Sequence, residues 1–124
     1  MLELVSGCVL VILSILHIWY GKKKQVVSFK KISNYSILIG SFRVMSVQGG
    51  IILFTLGLLH LLNVMGLIVL SGVALYFPLI IILINILSFA TIAVVMHREL
   101  LSVSVVQLLI FLFLIVLEFF IIFS

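Results

Sequence analysis

The sequence predicts an all-α integral membrane protein, with four transmembrane helices in an antiparallel up-and-down bundle. Three observations carry that reading. Of the 124 residues, 66% are hydrophobic and 8% are charged, with a mean hydropathy of +1.62; soluble domains are about 45–50% apolar and about 25% charged. A water-soluble fold of this size has too little interior to hide so much apolar surface. The apolar runs are also apolar on every side. "LIVLSGVALYFPLIIILINIL" (67–87) lacks the period-two alternation of a barrel strand, and backbone groups in hydrocarbon must be satisfied internally, which leaves helices. Finally, the 53 residues from Val44 to Met96 contain no Asp, Glu, Lys or Arg. Two spans of about 20 residues and a turn fill that length, and three would leave nothing for connections.

The first span is expected over about 2–20. It is not a cleavable leader, because its positive charge follows the apolar run instead of preceding it. A basic loop, 21–43, comes next, with Trp19 and Tyr20 at its edge as an interfacial aromatic belt. It holds six of the seven basic residues: Lys22, Lys23, Lys24, Lys30, Lys31 and Arg43. Within it Phe29, Ile32 and Ile39 can share one helical face apart from Lys30, Lys31 and Asn34. That pattern predicts a short interfacial helix on anionic lipid headgroups. The second and third spans are expected over about 44–66 and 76–96, with the turn near Gly66 to Leu75 and Pro78 in the first turn of the third. "HRE" (97–99) interrupts the pattern, and the last span covers about 103–123, all within a single membrane domain, 1–124.

Charge sets the direction. Short loops rich in Lys and Arg stay cytoplasmic, and with four spans the loop 21–43 and the loop carrying Arg98 fall on one side. The chain is therefore expected in the cytoplasmic (plasma) membrane, loop 21–43 inside and both termini outside. Its usage, rich in Ile, Leu, Phe, Lys and Ser and poor in Ala, is associated with AT-rich bacterial genomes. Orientation is the main task of the lysines, and lipid attraction is a second. Nucleic-acid binding is not expected, since no stacking platform or domain surrounds the basic run.

Ionisable groups inside spans are costly and mark candidate sites. Here they are Glu118, His60 and His17, with the neutral Asn63, Gln107, Gln48 and Asn85. Gln107 and Glu118 are eleven residues apart, three turns, and share a face; His60 and Asn63 share one at i, i+3. At 1.5 Å per residue Glu118 and His60 both fall roughly 7–8 Å outward of the span midpoints, in one layer. They either act as interhelical glue or form a titratable site that exchanges a proton for a cation. Gly7, Ser14, His17 and Gly21 on the first span, and Gly50 and Gly57 on the second, are spaced as packing faces. Asn85, Ser88 and Thr91 give the third span a polar edge.

No enzyme is expected, because no nucleophile–base set, metal-ligand spacing or phosphate-cradling loop is present. No cofactor is expected either. Haem would need His17 and His97 to face each other, and the lone Cys8 reads as a packing residue. In length and span count the chain resembles the small multidrug resistance transporters, but their glutamate sits mid-membrane in the first helix, where this chain has only Glu3 at the edge. In size it resembles fluoride channels and lacks their glycine-rich and arginine-containing signatures. The reading that remains is a non-enzymatic accessory, regulatory or immunity-type subunit acting through helix–helix contacts, its partner another membrane protein or a second copy. The alternative is a small proton-coupled transporter or ion channel, working as an oligomer through Glu118 and His60.

Overall fold

The computed structural model describes the backbone of residues 1–124 and every side chain except that of Val103. Among the described residues there is no strand. In chain order the elements are α1 (Leu2–Tyr20), a π-helical turn (Gly21–Gln25), α2 (Val26–Ile32), α3 (Ser36–Val64), a 3₁₀ turn (Gly72–Tyr76), α4 (Phe77–Val95), α5 (Glu99–Val103) and α6 (Val105–Phe123). Four helical stretches are long and apolar enough to cross a bilayer: Leu2–Ile32, Ser36–Val64, Gly72–Val95 and Val105–Phe123. Only 17–28% of the most apolar part of each is buried within the molecule, which leaves most of their apolar residues facing outward.

The basic segment 21–43 differs from the expected loop. The helix runs on through the lysines to Ile32 and resumes at Ser36. Lys and Gln are good helix formers, and no Pro or Gly interrupts residues 22–32. The break comes at "SNY" (33–35), where Ser33 is extended (φ −140°, ψ 136°) and its Oγ accepts the Tyr35 N–H at 3.2 Å. A short polar side chain has there replaced a helical backbone partner. The break also corrects the expected interfacial helix: Phe29 and Ile32 lie on α2, and Ile39 lies on α3.

The chain forms two compact units, residues 7–68 and residues 1–6 with 69–124. In the first, glycines set the distance between α1 and α3. A Cβ on Gly57 would lie 2.8 Å from the Gly7 carbonyl oxygen, and one on Gly7 would lie 3.1 Å from that of Gly57. Backbone therefore meets backbone, as in small-residue contacts between lipid-embedded helices. Further along, Gly50 leaves room for Ile18, Gly49 for the His17 ring, and Gly21 for Ser46. Partners on α3 step backward as α1 is followed forward, so these two helices are antiparallel.

The π turn follows from the same face. Spacings of three or four from Gly21 would bring Lys24 or Gln25 onto α3. The Val26 N–H instead bonds to the Gly21 carbonyl, five residues back, and Val26 is buried while Lys22, Lys23, Lys24 and Gln25 stay exposed. One extra residue in the turn carries the contact face over a polar stretch. α3 ends at Val64 in a Schellman motif: Gly66 (φ +73°) donates its N–H to Asn63 O, and Leu67 to Leu62 O, each at 3.0 Å.

In the second unit α4 and α6 pack on each other, with α5 between them in sequence. Pro78 lies at the start of α4, where its missing N–H costs little. On α6 the buried residues are Phe111, Leu114, Leu117, Glu118 and Ile121, one helical stripe. α4 ends at Val95 and α6 starts at Val105.

Gly57→Ala should destabilise the first unit by about 1–3 kcal/mol, because the new methyl overlaps a backbone oxygen that cannot rotate away. Gly40→Ala, on the same helix with open space around it, should stabilise by about 0.5–1 kcal/mol. Thermal or denaturant unfolding in detergent compares the two; equal effects would remove the steric explanation.

Candidate functional site: a buried serine–glutamate pair

Glu118 falls on the buried stripe of α6, one turn after Leu114 and just before Ile121. Ser6 occupies the equivalent stripe of α1, where Ser6, Leu10 and Ser14 recur at i, i+4 and i+8 and are all buried. Within the unit formed by residues 1–6 and 69–124 the Ser6 hydroxyl donates to Glu118 Oε1 at 2.5 Å. Both residues are 0% exposed. A bond to a carboxylate in apolar surroundings outweighs one between neutral groups, and here it joins residues 112 positions apart.

Ser6 was not among the residues singled out from the sequence. The available signal was its four-residue spacing to Leu10 and Ser14; a serine near the start of an apolar run carries no other mark. Glu118 is placed in a protein interior, consistent with the rule that intramembrane acids avoid lipid. The pair has the donor and acceptor of a nucleophile and a base, and both residues are buried.

The remaining candidates are placed as follows. His60 is fully buried on the same face of α3 as Leu56 and Gly57, and Asn63, one turn on, is half-buried. His17 is half-buried with its ring edge in the gap left by Gly49, where a Cβ would lie 2.8 Å from Nε2. Adjacent His17 and Ile18 thus sit on adjacent Gly49 and Gly50. Gln107, expected on the face of Glu118, is exposed in the first turn of α6. Gln48 and Asn85 are exposed as well, as are Lys22, Lys23, Lys24, Lys30, Lys31 and Arg43. Among the described residues no three His, Cys, Asp or Glu side chains gather as a metal site.

Outside the spans, His97 Nδ1 lies 3.3 Å from Glu99 Oε1. The Glu99 carboxyl is held below its ordinary value chiefly by a hydrogen bond to its own backbone N–H; desolvation works against this, and the neighbouring His97 lowers it further. Both side chains are exposed, so the contact contributes little to stability.

Ser6→Ala should cost about 1–2 kcal/mol by removing the donor to a buried acceptor. Glu118→Gln keeps an oxygen that can accept from Ser6 and should fold with a smaller loss. A double-mutant cycle read by unfolding in detergent tests the pair, and a coupling energy near zero would mean that the bond contributes nothing. No protein-family model, no curated protein and no solved structure matches the chain.

Proposed function

We propose that the chain is a non-enzymatic accessory, regulatory or immunity-type subunit of the cytoplasmic membrane that acts by helix–helix contact with another membrane protein. The observation that carries this reading is the edge of α4. Asn85, Ser88 and Thr91 follow one another at i, i+3 and i+6 and are all exposed, in a span without a charged residue. Asn85 Nδ2 donates to Ile81 O and Thr91 Oγ1 to Leu87 O, both at 2.8 Å. The Asn85 amide has a second donor and a two-lone-pair oxygen to offer, and lipid cannot take them up. A partner helix can, and the small Ser88 and Thr91 allow its close approach.

The four spans then form an antiparallel up-and-down bundle with residues 21–43 and Arg98 cytoplasmic and both termini outside, as the positive-inside rule requires. In this reading Glu118 is a structural tie to Ser6, and His60 with Asn63 packs the interior. The alternative, a proton-coupled transporter or channel built on Glu118 and His60, makes the opposite demand: Glu118→Gln abolishes flux with the fold intact.

Native mass spectrometry of the protein extracted in mild detergent from its own host separates the two. A stoichiometric second membrane protein is expected, and Asn85→Leu should weaken its retention about tenfold, the scale of the strongest interhelical hydrogen bonds. A clean homodimer whose ion flux is lost in Glu118→Gln would replace the accessory reading with transport. The orientation has its own check in a Cys8→Ala background. Ser33→Cys should react with a membrane-impermeant maleimide only from the cytoplasmic side, and Ser71→Cys only from outside. The reverse pattern would invert the topology.

A further inference from the structure

Where the first span leaves the apolar region, the π turn, α2 and the start of α3 enclose an open groove of about 310 Å³. Its lining has two halves. Tyr20, Phe29, Ile32 and Phe42 are apolar or aromatic, and Lys24, Gln25 and Ser28 are polar. The Phe29 and Phe42 rings stack at 5.7 Å and 5° and tie α2 to α3, which gives the groove a firm floor.

Charge around it is one-sided. The unit formed by residues 7–68 carries Lys22, Lys23, Lys24, Lys30, Lys31 and Arg43 and not one Asp or Glu, so its counter-ions must come from outside the unit. The π turn keeps Lys24 and Gln25 off the α3 contact and directs the buried position to Val26 instead. π turns inserted in helices are frequent at functional sites.

We propose that this groove is a binding site for one anionic phospholipid. The headgroup phosphate pairs with Lys24 and accepts hydrogen bonds from Ser28 and Gln25, while the upper acyl chain lies along Ile32 and the stacked phenylalanines. An anionic lipid is the occupant because the site needs three things together: negative charge for an acid-free unit, an apolar tail for half the lining, and supply from the membrane boundary. A free phosphate satisfies only the first. A zwitterionic lipid adds no net charge.

The proposal rests on the chain being membrane-embedded, which is checked separately by its recovery in carbonate-washed membranes. The test is native mass spectrometry of the full chain from nanodiscs of phosphatidylglycerol or of phosphatidylcholine. One phosphatidylglycerol should be retained per chain, and phosphatidylcholine should not. Lys24→Gln should cut retention about fivefold, Lys24→Arg should largely restore it, and Lys31→Gln, the same change of net charge outside the groove, should alter it less than about twofold. An equal loss in Lys31→Gln would overturn the site in favour of diffuse attraction. Equal retention of phosphatidylcholine would overturn the role of charge, and displacement of the lipid by inorganic phosphate alone would make the occupant a free anion.

Discussion

Backbone contact between Gly7 and Gly57 is the constraint from which most of the first unit follows. Where the bare face of each glycine meets the other's backbone carbonyl, the helices are drawn close, and every residue along the seam must fit that distance. Gly50 and Gly49 then admit Ile18 and His17, and Gly21 admits Ser46. The sequence pays for this seam in one place, since three lysines and a glutamine stand where the next contact is due. A wider turn passes over them and Val26 restores the seam. The groove beside Lys24 is a consequence of that detour.

In the second unit the organising feature is chemical. A carboxylate among leucine and isoleucine side chains needs a donor, and Ser6 supplies one from the far end of the chain. Such a bond fixes which face of α6 is buried, because the acid must stay beside its donor. The exposed polar edge of α4 is the reverse case, with groups that the chain itself only half satisfies.

Much of this was legible beforehand. Composition and the uncharged stretch 44–96 pointed to an all-helical chain with four helices long and apolar enough to cross a membrane, because both depend on bulk hydrophobicity and length. Pro78, the turn beginning at Gly66, and the contact residues Gly7, Gly21, Gly50 and Gly57 were also readable, because each acts through its own backbone or its lack of a side chain. The continuation of the first helix through the lysines was not. Charge marks a break between apolar runs but does not exclude helix, because lysine favours helix nearly as readily as leucine does.

The sequence by itself determined that the chain is helical, with four stretches long and apolar enough to cross a membrane, that its basic residues cluster between the first two of them, and that Glu118 and His60 sit within apolar segments. These follow from local composition, which each segment carries wherever it is placed. Only the tertiary structure decided that Ser6 is the donor to Glu118, that His17 rests on Gly49, that Val26 and not Gln25 continues the seam, and that Asn85 faces outward. Each of those depends on which face of one helix meets which face of another. That is set by the packing of side chains distant in sequence, and no local pattern records it.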